Sequence, residues 1–172
     1  MKTVPDTVFQ SPHQDERPEG ARISLLVIHN ISLPPGEFGG NWIDELFMGR
    51  LDPEAHPYFR DIAALKVSSH YLIRRDGTLI QYVDPAKRAW HAGVSSWNGC
   101  ERCNDFSIGV ELEGADDVPF AEPQYETLVK LAKELFAQHG ELDIAGHSDI
   151  APGRKTDPGP WFDWGRLRAA LA

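Results

Sequence analysis

The run Ile23-Ser24-Leu25-Leu26-Val27-Ile28 constrains this chain most, because it has the length and branching of a buried strand. His29 closes that run, so an imidazole stands at the end of a rigid interior element. Around this strand the chain interleaves further patterns of both kinds. Ser69 to Ile73 and Thr78 to Val83 flank Arg74-Arg75-Asp76-Gly77, and Asp-Gly between two strand-like runs predicts a hairpin that joins the same sheet. Phe106 to Leu112 alternates, with Ile108, Val110 and Leu112 on one side and Gly109, Glu111 and Glu113 on the other; the apolar side is expected to face the core. From Pro123 to Gln138 the apolar positions Leu128, Leu131, Ala132, Leu135 and Phe136 recur at helical spacing. Pro123 suits the first turn of that helix and Gly140 its stop. Leu142 to Ala145 reads as a short strand delivering His147, and Asp163 can cap a last helix whose inner stripe includes Leu167 and Leu171. The expected fold is α/β: a single domain with a mixed central β-sheet flanked by α-helices, partly antiparallel because of the hairpin.

A chain of 172 residues fits one domain with a core large enough to need no staples. No fixed-period repeat or low-complexity linker divides it. Residues 1–20, with Pro5, Pro12 and Pro18 among polar neighbours, are expected to form an irregular N-terminal arm over the surface, leaving 21–172 as the domain proper. Pro34-Pro35-Gly36 and Gly39-Gly40 break the chain after His29. The long 31–66 segment, with short helices expected near Trp42 to Met48 and Tyr58 to Leu65, is more often functional than idle at that length. A formal net charge of −9 with no Lys/Arg run speaks against nucleic acid or an anionic membrane as partner. The first ten residues lack the apolar core of a signal peptide, and no apolar stretch approaches the roughly 20 residues of a membrane span, so a cytoplasmic protein is expected. Cys100 and Cys103 lack a second pair for a metal knuckle and are bracketed by turn residues, which reads as two reduced thiols in a loop.

The chemistry gathers in the segment from Gly146 to Pro160, where prolines and glycines hold His147, Lys155 and Asp157 in one loop. Imidazole and carboxylate are ordinary zinc ligands, but two protein ligands leave a catalytic zinc one short. His29 is the natural third, and a His, His, Asp set leaves a fourth tetrahedral position open for water. The residues alone leave alternatives. His147 and Asp157 stand ten apart in a loop, which is far less diagnostic than a helical His-Glu-x-x-His. His147 could be a hydrogen-bonded structural histidine, Asp157 could start a turn before Pro158, and a site of His29, His70 and His147 fits the composition as well. Glu111 and Glu113 share the polar side of their strand, where either could supply a carboxylate or both could be solvated; Gly109 on that side leaves room for a ligand to approach. Lys155 lies within about 7 Å of Asp157 along the chain, or else is a surface cation beside Arg154.

Five blocks taken together go further. Val27-Ile28-His29-Asn30, Ser69-His70-Tyr71-Leu72-Ile73, Ala89-Trp90-His91-Ala92-Gly93, Cys103-Asn104-Asp105-Phe106-Ser107-Ile108-Gly109-Val110-Glu111-Leu112-Glu113-Gly114 and the His147 loop occur in the order and approximate spacing of one family. From about Ala21 to the C-terminus the chain resembles the 1,6-anhydro-N-acetylmuramyl-L-alanine amidases, within the N-acetylmuramoyl-L-alanine amidase and peptidoglycan-recognition-protein-like fold. The resemblance implies a zinc ion (Zn2+) on His29, His147 and Asp157, with His70 as sheet packing or support and His91 beside Trp90 in the cleft wall. It implies Glu111 as general base and Lys155 as the cation facing the oxyanion. Asn30, Trp90, Arg102 and Ala151 fall in the substrate cleft, Trp90 against sugar or peptide and Arg102 on a peptide carboxylate. The implied reaction is hydrolysis of the amide joining N-acetylmuramic acid, in its 1,6-anhydro form, to L-alanine in muropeptides, within cytosolic peptidoglycan recycling by a monomer. Two rivals share these residues. A non-catalytic peptidoglycan-recognition module would be marked by lost ligands, and a broad-specificity cell-wall amidase is disfavoured by the acidic charge and the missing leader.

Overall fold

A computed structural model describes residues 2–172. In chain order the elements are β1 (Thr7–Val8), β2 (Gln14–Asp15), β3 (Leu25–Ile31), α1 (Trp42–Phe47), α2 (Phe59–Ile62), β4 (Tyr71–Ile73), β5 (Leu79–Gln81), β6 (Arg88–Ala89), β7 (Ser96–Trp97) and β8 (Cys100–Glu101). A 3-10 turn over Cys103–Asp105 leads into β9 (Ser107–Glu113), followed by α3 (Glu122–His139), β10 (Asp143–Gly146), α4 (His147–Ile150) and α5 (Trp164–Leu171). Six strands form one mixed sheet in the order β1-β5-β4-β9-β3-β10. The β4–β5 hairpin is antiparallel, and the β4–β9, β9–β3, β3–β10 and β1–β5 pairings are parallel. The expected α/β architecture is therefore the one observed.

Both faces of the sheet are covered. Leu26, Ile28, Ile108, Val110 and Leu112 pack under α3 and α5 with Leu128, Leu131, Leu135 and Leu167. On the opposite face, Leu72, Ile80 and Tyr82 meet Leu46, Phe47 and Phe59 of the 31–66 segment, while Leu25 and Val27 meet Ala92, Cys103 and Ile150. This corrects one expectation: β9 is buried along its whole length, and Glu111 and Glu113 do not face solvent. The alternation was that of a sheet with one wet face; here the second face is roofed by chain from elsewhere, which no local period can announce.

α3 begins and ends where its proline and glycine suggest. Its Gln124 side chain accepts from the Ala121 amide (3.0 Å) and donates to the carbonyls of Ile73 (3.2 Å) and Glu113 (2.9 Å), joining the helix start to the ends of β4 and β9. At the hairpin, Gly77 has φ +88° and a Cβ there would lie 2.9 Å from the Pro123 carbonyl, so the turn can press on the helix only as glycine. Residues 2–20 are not wholly irregular. β1 pairs with the free side of β5, where an open sheet edge offers unpaired backbone groups, and β2 forms a separate two-stranded ribbon with β6. Arg17 anchors this arm by donating to the carbonyls of Asn104, Asp105, Pro85 and Ser107 at 2.9–3.3 Å.

Glu113 ties the 31–66 segment to the sheet. Its carboxylate accepts from Arg74 (3.1 Å) and from the amides of Gly39 (2.9 Å) and Arg75 (3.1 Å), and Arg74 also reaches Asp44 in α1 (3.2 Å). Every charge in this network is partnered. His70, fully buried on the same face, accepts from the Gly109 amide at Nδ1 (3.0 Å) and donates from Nε2 to the Lys87 carbonyl (2.9 Å).

Burial, only partly offset by the Lys87 bond, pushes the His70 pKa from 6.5 down to about 3. The unfolded chain takes up a proton below pH 6.5 that the folded chain refuses, so this contribution to stability is complete above 6.5 and is lost as pH falls toward 3. We expect His70→Asn, whose Oδ1 can still accept from Gly109, to lose about 1 kcal/mol at neutral pH for the Lys87 bond. It should also show a shallower fall of unfolding free energy with acid, measured by urea titration at several pH values. Identical slopes for the two proteins would refute this account.

Candidate metal and catalytic site

Three parallel strands end at the same edge of the sheet, the edge at which α/β folds assemble ligand sites. The register of β3 with β9 sets His29 opposite Glu111, and Gly146, the last residue of β10, sits opposite Ile28. His147 therefore emerges level with His29. Rather than lying in a loop, it opens the one-turn helix α4. The following turn brings back Asp157, whose carbonyl accepts from the Ser148 amide (3.0 Å). Asn30 Nδ2 donates to Asp116 (2.6 Å) and to the Pro158 carbonyl (3.1 Å), and Asp116 also accepts from Thr156, so the Asp157 loop is held on both sides.

The three candidate ligands converge. His29 Nδ1 lies 3.0 Å from His147 Nδ1 and 3.1 Å from Asp157 Oδ2, while His147 Nδ1 lies 3.3 Å from Asp157 Oδ1. A tetrahedral ion with bonds of ~2.0 Å has ligand–ligand edges of about 3.3 Å, so the spacing fits such an ion. The donor chemistry fits as well. His147 Nε2 lies 2.9 Å from the Ala92 carbonyl, which can only accept, so its proton is on Nε2 and Nδ1 presents a lone pair to the cluster. Both histidines are buried and Asp157 is half-buried. Among the described residues this is the one His/Cys/Asp/Glu group close enough to hold a metal ion. His70 is not in it, so a site of His29, His70 and His147 is not what the fold assembles.

Glu111 stands beside this cluster, Oε1 at 3.9 Å from His29 Nδ1, and its buried Oε2 has no hydrogen-bond partner. Burial first, then the nearby Asp157 charge, push its carboxyl well above the ordinary range, against the pull of Lys155. Burial works against ionising Asp157 too, but hydrogen bonds and charges from His147 and His29 outweigh it and hold Asp157 low. His29 is lowered by burial and by the charges of His147 and Lys155, against its bond to Asp157. Lys155 is exposed on the cleft rim, near enough for its charge to act on both His29 and Glu111.

The cluster forms the floor of a cleft of about 500 Å³. Its lining combines polar groups, among them Asn30, Asp116, Arg154, Lys155 and Thr156, with apolar side chains of the 31–66 segment, among them Leu46, Phe47, Ile62 and Leu65. Trp90 also lines the cleft, its indole N–H donating to Asp15 (3.0 Å) and its ring stacked on His13. Arg102 and Ala151 are elsewhere: they line a second depression of about 420 Å³ with Ser95, Glu101 and Ile150, which meets the first at Arg154. The space beside Gly109 is filled, contrary to the sequence reading. A Cβ there would come within 2.6 Å of the His91 ring, so the glycine accommodates a side chain of the protein itself. His91 sits not only in the cleft wall but also under the cluster, with Nδ1 2.9 Å from His29 Nε2. Asp116 and Arg154 were not singled out as site residues from sequence; each sits in a turn next to another charged residue, Asp117 and Lys155, with no periodic or motif signal.

The pattern of residues 19–160 matches the family model described as N-acetylmuramoyl-L-alanine amidase. The chain is 61% identical to the 1,6-anhydro-N-acetylmuramyl-L-alanine amidase AmpD of Enterobacter cloacae over 163 residues, 94% of this chain and 87% of that protein. Its fold superposes on a crystal structure of an AmpD selenomethionine derivative with a TM-score of 0.96 at 56% identity, covering 99% of this chain and 96% of the other. It is also similar to Escherichia coli AmiD in complex with anhydro-N-acetylmuramic acid-L-Ala-D-γ-Glu-L-Lys, with a TM-score of 0.66 at 30% identity over 91% of this chain and 61% of that one. With its family model matched over residues 19–160 and a relative 61% identical across 94% of its length, the chain belongs to the N-acetylmuramoyl-L-alanine amidase family.

Proposed function

We propose that this chain is a zinc-dependent hydrolase of the amide bond between 1,6-anhydro-N-acetylmuramic acid and L-alanine in muropeptides, acting in cytosolic peptidoglycan recycling. The observation that carries the reading is the meeting of His29, His147 and Asp157 beside a buried, unpartnered Glu111 on the floor of one cleft. The anhydro-muramyl substrate is supported by the AmpD relatives' name and by the anhydro-muropeptide bound to AmiD.

His29, His147 and Asp157 would hold the zinc ion, which when bound supplies a Lewis acid that polarises a carbonyl and lowers the pKa of water toward about 7. Glu111 takes the proton from the attacking water and returns it to the leaving nitrogen of L-alanine as the carbon–nitrogen bond breaks. Burial suits it to this exchange, because a carboxyl with a raised pKa can hold a proton between the two steps. Lys155 places fixed positive charge where the carbonyl oxygen gains negative charge. Trp90 and the apolar side chains of the cleft offer faces for the sugar, and the peptide stem would cross Arg154 toward Arg102 in the second depression. Asn30, bonded to Asp116 and the Pro158 carbonyl, serves the site by holding the Asp157 loop.

We expect His147→Ala to lose stoichiometric zinc by metal analysis, and Glu111→Gln to keep zinc while turnover falls roughly 10²- to 10⁴-fold. Full metal in the first or full rate in the second would reject these roles. Mass spectrometry should show anhydro-muropeptides cut to the sugar acid and free peptide faster than reducing-end muropeptides, whereas equal rates would remove the anhydro preference. The metal-free protein offers a third test. A carboxyl raised on folding costs stability as pH rises above its ordinary 4.5, so metal-free Glu111→Gln should unfold at higher temperature than the parent near neutral pH. That gap should close as pH falls toward 4.5; a gap independent of pH would show that Glu111 is not held protonated by the fold.

A further inference from the structure

Both imidazoles of the cluster direct their outer nitrogens to one dipeptide. His29 Nε2 lies 2.9 Å from His91 Nδ1, and His147 Nε2 lies 2.9 Å from the Ala92 carbonyl oxygen. The dipeptide is itself held from a third place: the Asn104 carboxamide oxygen accepts from the backbone amides of His91 (3.1 Å) and Ala92 (2.9 Å). The His91 ring is buried against Gly109, with Nε2 3.1 Å from Ser107 Oγ. Asn104 is buried too and lines neither depression.

These contacts restrict proton positions. A cation on His29 Nδ1 requires the His29 proton on Nε2, so His91 must accept at Nδ1 and carry its own proton on Nε2, where the Ser107 oxygen can accept it. The Ala92 carbonyl imposes the matching choice on His147. Resting on the reading of His29, His147 and Asp157 as a zinc site, we propose that His91 and Asn104 are positioning residues for the metal. Asn104 clamps the His91–Ala92 dipeptide, and that dipeptide sets the tautomer and ring plane of both histidine ligands at once. Neither residue needs to touch substrate. Outer hydrogen bonds to metal-bound histidines commonly change metal affinity 10- to 100-fold, which sets the scale expected here.

The test begins with the zinc-loaded parent protein, in which long-range proton–nitrogen NMR reads the imidazole tautomers directly. Protons on Nε2 of His29, His91 and His147 are expected. Failure of the parent to bind zinc would sink the metal reading itself, whereas zinc bound with His91 protonated on Nδ1 would sink this inference alone. Zinc affinity by chelator competition then separates packing from hydrogen bonding. His91→Phe keeps the ring but has no acceptor, and should bind zinc 10- to 100-fold more weakly. His91→Asn, which can return an acceptor oxygen near the Nδ1 position, should recover much of that loss, and Asn104→Leu should show a loss of similar size. Parental affinity in folded His91→Phe and Asn104→Leu, or equal loss in His91→Phe and His91→Asn, would overturn the proposal. If a variant fails to fold by circular dichroism, the tautomers of the parent decide.

Discussion

The parallel pairing of β3 with β9 is the constraint on which the rest of the molecule depends. In a parallel ladder, side chains of paired residues lie on the same face, so the His29–Glu111 register places an imidazole and a carboxyl side by side before any loop is considered. Because β10 joins the other side of β3 and stops one residue before His147, the second imidazole reaches the same level. Only Asp157 arrives by way of a turn, and that turn is fastened through Ser148, Asn30 and Asp116. A slip of one residue in either ladder would turn the side chains to the opposite face and leave no site.

Two carboxyl groups on one strand show how burial serves opposite ends. Glu113 and Glu111 are both buried and point to the same side of β9. Glu113 finds Arg74 and the amides of Gly39 and Arg75, and its charge becomes part of the scaffold; removing one partner of such a buried pair typically costs about 3–5 kcal/mol. Glu111 has an oxygen with no partner at all, and burial raises its pKa accordingly. An uncompensated buried carboxyl is a stability cost, and its position beside three residues that could hold a metal ion marks it as a candidate functional group.

The segments outside the sheet have comparable work. Residues 2–20 extend the sheet at β5, send Arg17 into four backbone carbonyls, and pin Trp90 through Asp15 and His13. The 31–66 segment covers the face that bears Leu72 and Tyr82 and supplies apolar lining to the cleft. These two segments therefore shape the cleft, while the parallel strands and the two turns after them carry the candidate metal-holding group.

Much of this was legible in the residues themselves. The Asp-Gly hairpin, the 3.6-residue stripe between Pro123 and Gly140, and the Asp163 cap each arise from interactions within a few neighbours, and each appears where the local pattern puts it; the buried strand is there too, but it starts at Leu25 and runs on to Ile31, so His29 lies within it rather than at its close. The candidate ligand set was carried by a resemblance in motif order rather than by spacing, since a ten-residue loop separation leaves open whether His147 and Asp157 ever meet. Only the tertiary structure decided that β9 has two dry faces, that Glu111 and not Glu113 is left unpartnered, that Gly109 makes room for His91, and that Arg102 lines a neighbouring depression. Such outcomes depend on which distant segment lands on which face. Short-range periodicity records how a stretch of backbone will coil or extend, but burial, pairing and proton position are set by atoms distant in the chain, as His147 is from His29 at 118 positions.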